Sequence, residues 1–305
     1  NRYDIFEHAK SLKINIFFSD FDFSDFPDNS FSQVLFRVSK EKALTHYIIK
    51  SAYRLLADNG ELLMSGEKSD GIKTYGEKAA QHFGTSTQTN KNGIAYLSIT
   101  QRLEVKKNQL ARHAIEDKGY AHLTKCIPFA DQMLVSKPGL FGWGKIDEGS
   151  AFLGDFFPEF LSFFNKEPAN ILDLGCGYGY LSIRVSQHTK AKIVATDNNA
   201  AAIIACSKNF SALELNGEVV ASNCADNIGQ LFDAIICNPP FHKGFTTDRE
   251  LTRQFVVSSY KRLKLRGMAL FVVNRFVPLE DYAEKFFKIK LVAETKSFKL
   301  LLLTK

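Results

Sequence analysis

The stretch Asn170-Ile-Leu-Asp-Leu-Gly-Cys-Gly-Tyr-Gly-Tyr180 predicts a buried strand that ends in a glycine-rich turn and leads into a helix. Its three glycines let the backbone turn sharply and approach a ligand without a Cβ in the way. A second predicted strand, Lys192-Ile-Val-Ala-Thr-Asp197, ends in an acid 24 residues after Asp173. This spacing suits a carboxylate that accepts hydrogen bonds from ribose hydroxyl groups at the carboxyl edge of a parallel sheet.

The glycine pattern argues against two common classes of cofactor. Tyr180 stands where a dinucleotide fingerprint would have its third glycine, and the Gly-Lys-Ser/Thr of a phosphate loop is absent. Asp173 precedes the first glycine by two residues, where a carboxylate suits ammonium and sulfonium cations better than a pyrophosphate. A glycine-rich turn can also be a plain connection between strand and helix, but Asp197 favours a cofactor site.

The segment Asn238-Pro-Pro-Phe241 follows an apolar strand and carries the predicted chemistry. Proline cannot continue a strand ladder, so the Asn238 side chain and the Pro239 carbonyl should point out of the carboxyl edge as acceptors. The amine of a nucleobase is a poor nucleophile because its lone pair is delocalised into the ring. Two acceptors on its N–H groups would aim that lone pair at an electrophilic methyl group, so catalysis rests on positioning. Phe241 can stack on the base. In the alternative interpretation, the prolines only end a strand and Phe241 is a core residue.

In this order, the motifs resemble those of the class I S-adenosylmethionine-dependent methyltransferases that modify amino nitrogens. Two further segments, Lys137-Pro-Gly-Leu-Phe-Gly-Trp-Gly-Lys-Ile-Asp-Glu-Gly-Ser150 and Ala221-Ser-Asn223, are similar to those of bacterial ribosomal RNA guanine-N2 methyltransferases, most of all those of the small subunit. The resemblance is close from about residue 135 to the end and faint before it. It implies methyl transfer from S-adenosylmethionine to the N2 amine of one guanine in 16S ribosomal RNA.

The motifs and the resemblance together define a candidate site. The catalytic candidates are Asn238, Pro239, Pro240 and Phe241. The cofactor-binding candidates are Asp173, Gly175, Cys176, Gly177, Gly179, Asp197, Asn198 and Asn223, and the resemblance places Asn223 against the adenine. Lys243 and Arg249 follow the catalytic segment and are candidate contacts to RNA phosphates. The basic run from Lys261 to Arg266 more commonly compensates a helix dipole.

Two other functions stay open at this point. The same chemistry could act on a guanine of 23S ribosomal RNA, because the large-subunit relatives have similar motifs. A non-catalytic ribosome-assembly factor could retain the fold without the reaction, although a binding module does not need a complete site.

Alternating elements predict an α/β fold. Strands are predicted at 169–174, 192–197, 218–223, 232–237 and 268–273, with helices near 178–188, 199–213 and 248–264 between them, which indicates a parallel sheet with right-handed crossovers. A last helix near 279–288 and an antiparallel pair at 290–294 and 298–304 follow. The resemblance implies a Rossmann-like, seven-stranded and mostly parallel sheet whose terminal hairpin is antiparallel.

The chain also predicts a tandem arrangement of two such domains. Ser51-Ala-Tyr-Arg-Leu-Leu-Ala-Asp-Asn-Gly60 aligns without gaps on Ser258-Ser-Tyr-Lys-Arg-Leu-Lys-Leu-Arg-Gly267, which indicates an internal duplication. The first copy has Arg37-Val-Ser-Lys40 in place of the catalytic segment. We therefore expect a degenerate methyltransferase-like domain at 1–110, an RNA grip or structural support, then a linker at 111–133 and the catalytic domain at 134–305. Two unrelated helix–strand units are the alternative.

Smaller expectations complete the prediction for the first half of the chain. Strands are expected at 14–18 and 31–36, and a helix at 40–56 that closes at Asn59-Gly60. The glycine-rich segment 134–150 is either a lid over the cofactor cleft or a plain hairpin.

Composition places the protein among intracellular globular proteins. The net charge of +6 is compatible with an RNA partner but does not require one. Five cysteines without a CxxC pair indicate reduced thiols and no metal site. No apolar run reaches the ~18 residues of a membrane span, and we expect no signal peptide. The predicted protein is a cytoplasmic monomer that acts on the 30S subunit or on an assembly intermediate.

Overall fold

The computed structural model describes residues 1–103, 114–240, 242–243, 246–247 and 249–305, with only the backbone described at 242, 243, 246, 247 and 249. The chain divides into two compact units. The larger unit contains residues 1–20, 124–136 and 140–305, and the smaller unit contains the described residues of 21–123 together with 137–139.

The elements of the described chain, in order, have the following bounds. The first half contains α1 (Tyr3–Ser11), β1 (Phe31–Arg37), α2 (Lys42–Leu55), β2 (Leu56–Glu67), α3 (Ile72–Phe83), β3 (Thr87–Asn92), β4 (Ala95–Gln101), β5 (Thr124–Phe129) and β6 (Gln132–Ser136). The second half contains α4 (Glu148–Ser162), β7 (Asn170–Leu174), α5 (Tyr180–Ser186), β8 (Lys192–Asp197), α6 (Ala200–Ala212), β9 (Gly217–Ala221), β10 (Phe232–Cys237), β11 (His242–Lys243), β12 (Thr246–Thr247), α7 (Arg249–Arg262), β13 (Leu263–Asn274), α8 (Glu280–Ala283), β14 (Lys288–Glu294) and β15 (Phe298–Thr304).

A seven-stranded sheet organises the larger unit, in the order β14-β15-β13-β10-β7-β8-β9. The strands from β13 to β9 pair in parallel, and β15 pairs antiparallel with both β13 and β14. The predicted α/β fold with a reversed terminal hairpin is thus confirmed. Central strands covered on both faces carry continuous apolar runs, and four successive side chains of β10, from Ala234 to Cys237, are fully buried.

Two helices differ from the sequence-based expectation. The long helix α4 was not predicted, and only its first three residues lie in the segment 134–150 that was expected to be a lid or a hairpin. Its N-cap is Asp147, whose side chain accepts a hydrogen bond from the Ser150 backbone amide. The last helix, expected near 279–288, is only the four residues of α8.

The N-terminal residues also correct the prediction. Residues 14–18, expected as a strand, form no regular element, and α1 precedes them instead. Residues 1–20 belong to the larger unit and not to the first domain as expected. Within the stretch expected as a linker, residues 124–133 form most of the β5–β6 hairpin of the larger unit. In the glycine-rich segment, residues 137–147 form a loop between β6 and α4. No helix of the described residues is long and apolar enough to span a membrane.

The smaller unit contains a four-stranded sheet in the order β1-β2-β4-β3. Strands β1 and β2 pair in parallel, whereas β4 pairs antiparallel with both β2 and β3. The same pattern of directions occurs in β10, β13, β15 and β14 of the larger unit. The described residues of the smaller unit have no counterpart of β7, β8 and β9, the strands that contain or precede the predicted cofactor residues.

Both units share an irregularity at the start of the strand that follows the helix. The register between β1 and β2 changes from Phe31 opposite Leu56 to Gln33 opposite Glu61. The register between β10 and β13 changes by the same three residues, from Phe232 opposite Leu263 to Ala234 opposite Met268. Gly60 and Gly267, expected to close helices, lie inside these strands, because α2 and α7 already end at Leu55 and Arg262. The shared irregularity supports the inferred duplication.

We expect alanine at either glycine to destabilise its unit. A Cβ at Gly60 would lie 2.9 Å from the Ala57 carbonyl oxygen, and one at Gly267 would lie 2.9 Å from the Lys264 carbonyl oxygen. Because backbone must move in both cases, Gly60→Ala and Gly267→Ala should each lower the free energy of unfolding by roughly 1–3 kcal/mol. Urea denaturation measures this, with Gly229→Ala as the control, since a Cβ there meets nothing within 4 Å. Stabilities equal to that of the control would contradict the steric argument.

Candidate active site

The glycine-rich turn joins β7 to α5 at the carboxyl edge of the sheet. The backbone amides of Gly175 and Cys176 both donate to the Thr196 carbonyl oxygen, at 2.9 and 3.0 Å, which ties the turn to the end of β8. A Cβ at Gly177 would meet no atom within 4 Å, so the backbone there faces open space. Gly179 is the N-cap of α5 with φ of +90°, and a Cβ there would lie 2.8 Å from the Cys206 Sγ. The turn therefore combines close packing on one side with space for a ligand on the other.

Asp173 is fully buried beneath this turn. One of its oxygens, Oδ2, accepts hydrogen bonds from the Ser182 backbone amide at 3.0 Å and from the Ser182 hydroxyl at 2.6 Å. The other oxygen, Oδ1, is buried and has no hydrogen-bond partner among the described residues. Burial raises the pKa of Asp173 to about 7, and the charge of Asp197 adds to this effect. A buried acceptor without a donor is suited to a donor supplied by a ligand.

Asp197 ends β8 beside the turn, as predicted. It accepts hydrogen bonds from the backbone amides of Gly177 at 3.0 Å and Asn199 at 2.8 Å. Burial raises the pKa of Asp197 as well. A carboxylate has about four lone-pair sites, so Asp197 can still accept hydrogen bonds from ligand hydroxyl groups.

The next predicted cofactor residue, Asn198, makes contacts that the sequence did not reveal. Its side chain exchanges two hydrogen bonds with Asp4 of α1, at 2.9 and 3.0 Å, and its carbonyl oxygen accepts one from the Tyr3 backbone amide. The structure therefore uses Asn198 to hold α1 at the end of β8.

Asn223 lines a cavity of about 230 Å³ after β9. The cavity is bounded on one side by the turn 223–226 and on the other by the face of α7 that contains Arg253 and Val257. Cys224 and Ala225 adopt positive φ values of 48° and 58°, which are uncommon for residues other than glycine. Strained backbone of this kind concentrates at ligand sites, which makes the turn a candidate wall for a bound base.

Asn238 follows β10, where the sequence placed it. Its side-chain amide donates both hydrogens, one to the Asp147 Oδ2 at 2.9 Å and one to the Ser150 Oγ at 2.8 Å. The remaining polar atom of this side chain is Oδ1, an acceptor. Pro239 is buried and Pro240 is exposed.

Asp147 and Ser150 are the site residues that sequence reasoning missed. They lie about ninety residues before Asn238, and no local pattern connects the two segments. A signal was present nevertheless, because Asp147 to Ser150 belong to the segment that carried the family resemblance. Phe241 lies outside the described residues, as do the side chains of Lys243 and Arg249.

The remaining predictions concern thiols, metals and the basic run. All five cysteines are free, and Cys176 and Cys237 are buried with pKa values raised well above the ordinary thiol value. In the described part of the chain, no cluster of three or more His, Cys, Asp or Glu side chains could hold a metal. In the basic run, Lys264 pairs with Asp233 at 2.8 Å.

We expect Asp173 to make the ligand-free protein less stable as the pH rises. In the unfolded chain the carboxyl group loses its proton near pH 4, whereas in the folded protein it keeps the proton up to about pH 7. The folded state therefore binds more protons in this range, and the stability from the raised pKa is lost as the pH rises through about 7. Asp173→Asn stays neutral and can still accept from Ser182. The stability of the variant relative to the wild type should increase from pH 4 to 7 and then level off, as measured by urea denaturation. A difference that does not change with pH would contradict the raised pKa.

The chain is similar to known proteins both in sequence and in fold. A family model described as "Methyltransferase small domain" matches residues 131–302. "Ribosomal RNA small subunit methyltransferase C" of Shewanella loihica is 28% identical over 277 residues, which cover 89% of this chain and 76% of that protein. The protein of the same name from Shewanella amazonensis is 29% identical over 276 residues, which cover 90% and 77%.

A solved structure has the same fold along the whole chain. It is the T. thermophilus 16S rRNA N2 methyltransferase (RsmC) in complex with AdoMet and guanosine. The TM-score is 0.82 at 20% identity, and the match covers 100% of this chain and 80% of that one.

Proposed function

Because the chain belongs to the methyltransferase small domain family, we propose that it transfers a methyl group from S-adenosylmethionine to the N2 amine of a guanine in 16S ribosomal RNA. The observation that carries the proposal is the orientation of the Asn238 amide, whose two hydrogens are bound within the protein. Its oxygen is thereby available to an amine donor. The shared name of the curated relatives supports the choice of the small-subunit RNA.

The residues of the turn fit S-adenosylmethionine. The buried Oδ1 of Asp173 lacks a donor, which an ammonium group could supply, and Gly177 leaves the backbone open to a ligand. Two carboxylates with raised pKa values favour a cationic ligand, because a nearby positive charge stabilises their ionised forms. Asp197 would accept from the ribose hydroxyls, and Asn223 would line the adenine pocket. The other proposed contacts are Gly175, Cys176, Gly179 and Asn198.

When bound, S-adenosylmethionine supplies an electrophilic methyl group on a sulfonium. The protein's own part is to hold the guanine amine. The Asn238 Oδ1 and the Pro239 carbonyl oxygen accept its two N–H groups, and Phe241 stacks on the base. Asp147 and Ser150 keep the Asn238 amide from rotating to present its donors. No side chain needs to remove a proton before transfer, so positioning accounts for the catalysis.

The proposal also includes the form of the RNA substrate, the cell compartment and the oligomeric state. The RNA would be presented in the 30S subunit or in an assembly intermediate, in the cytoplasm, and the enzyme would act as a monomer. Lys243 and Arg249, which follow the catalytic segment, would contact phosphates of this RNA.

Transfer of tritiated methyl groups tests the function directly. Unmethylated 30S subunits, 50S subunits and free 16S RNA are each incubated with the enzyme and labelled S-adenosylmethionine. We expect label in the 30S or 16S samples, mapped to a guanine N2. Label only in 50S subunits would move the reaction to 23S RNA. If no RNA were labelled and calorimetry detected no cofactor binding, the chain would be a non-catalytic factor.

A double-mutant cycle tests the positioning of Asn238. Asn238→Ala removes the acceptor, so kcat should fall on the order of a hundredfold, with little change in cofactor affinity. Ser150→Ala frees one amide hydrogen of Asn238, and kcat should fall less, on the order of tenfold. Because Ser150 acts through Asn238, the double variant should be no slower than Asn238→Ala alone. Single-turnover rates provide the measurement, with Ser162→Ala near the other end of α4 as the control. Additive losses would show that Ser150 acts independently of Asn238.

A further inference from the structure

The loop after β13 lies on the side of Asn238 that is opposite the cofactor turn. In the sheet order, β10 separates β7, which leads into the glycine-rich turn, from β13. Cys237, the last residue of β10, is opposite Phe271, and β13 continues for three more residues to Asn274. At the usual rise per residue, β13 therefore extends roughly 7 Å beyond the level of Asn238. The loop that follows β13, residues 275–279, therefore projects beyond the end of β10 and forms a wall on one side of the proposed amine site.

The start of α4 connects this wall to Asn238. Ser150 contacts Asn238, and a Cβ on the neighbouring Gly149 would lie 3.0 Å from the Phe298 ring. Phe298 is the partner of Asn274 in the pairing of β13 with β15. Asn238 and the end of β13 thus border the same helix N-terminus.

Phe276 is the tip of this wall. Its side chain is 86% exposed, the largest value for any large hydrophobic residue in the described chain. The loop itself is anchored, because Val277 and Leu279 on either side of Pro278 are buried and the Phe276 backbone amide donates to the Asn274 Oδ1 at 3.2 Å. Packing within the protein does not explain why an aromatic residue occupies this position. Its place on an anchored loop, beside the substrate side of the site, instead indicates a contact with the substrate.

Two cationic side chains lie beside Phe276, and one of them is paired with a carboxylate. Arg275 is half exposed, with a Glu294 carboxylate 3.7 Å away, and its backbone amide donates to the Ser297 carbonyl oxygen in the β14–β15 turn. Lys296 is exposed in the same turn. An exposed aromatic ring next to cations is the combination that binds single-stranded nucleic acid, where bases stack on the ring and cations contact phosphates.

We propose that Phe276 stacks on an unpaired base of the RNA substrate, on the side of the target guanine that faces away from the cofactor. This assignment rests on the proposed function for its substrate. It adds a second aromatic contact, remote in sequence from Phe241, that orients the RNA strand as it enters the site.

The test compares three variants with 30S subunits and 16S RNA as substrates. Phe276→Ala should raise KM for the RNA on the order of tenfold, without changing KM for S-adenosylmethionine, because one base–aromatic stack is lost. Phe276→Trp retains a stacking face and should remain near the wild type. Leu265→Ala is the matched control, because Leu265 is 81% exposed at the opposite end of the same strand and should have no effect.

A binding measurement separates this proposal from the proposed function. Filter binding of 16S RNA in the presence of S-adenosylhomocysteine requires no turnover. If the wild type binds this RNA more tightly than Phe276→Ala but methylates no RNA, the proposed function fails and the stacking contact stands. If Phe276→Ala matches Leu265→Ala in both KM and RNA affinity, the stacking contact is overturned.

Discussion

A single carboxylate oxygen fixes both the start of α4 and the orientation of the Asn238 side-chain amide. The Asp147 Oδ2 accepts from the Ser150 backbone amide, which begins the helix, and from the Asn238 side chain at the end of β10. Because Ser150 binds the second hydrogen of that amide, Asn238 can offer only its oxygen to a substrate. The geometry proposed for methyl transfer depends on this contact, since an asparagine with a freely rotating amide would present a donor as often as an acceptor.

The cofactor side of the site contains two buried carboxyl groups, one of which has an oxygen without a hydrogen-bond partner among the described residues. Burial raises the pKa values of both Asp173 and Asp197, and the charge of Asp197 raises that of Asp173 further. In the absence of a ligand this arrangement costs stability at neutral pH, because a buried carboxylate must either ionise unfavourably or retain a proton. A cationic ligand reverses that cost. Binding is therefore coupled to ionisation of the same groups that weaken the free protein.

Local patterns in the sequence revealed most of the larger unit and less of the remainder. Continuous apolar runs identified β7, β8 and β10, because strands buried on both faces carry no polar alternation. The same reasoning failed at residues 14–18, where apolar side chains follow one another without a neighbouring strand to pair with. It also missed α4, whose first turn is hidden in a glycine-rich segment, and the contact of Asn198 with α1. Contacts between segments that are distant in the chain, such as Asp147 with Asn238, have no local pattern.

The described part of the smaller unit repeats one half of the seven-stranded sheet, without counterparts of β7, β8 and β9. Its strands β1, β2, β4 and β3 repeat the order and directions of β10, β13, β15 and β14, including the same three-residue shift in register. Matching the two registers places Arg37, the last residue of β1, at the position that Asn238 holds after β10. Arginine has only donors, so it cannot accept an amine hydrogen, whereas it can bind a phosphate. If the two units descend from one ancestor, this position holds an acceptor in the larger unit and a side chain with only donors in the smaller one, so the smaller unit cannot hold an amine in the way proposed for Asn238.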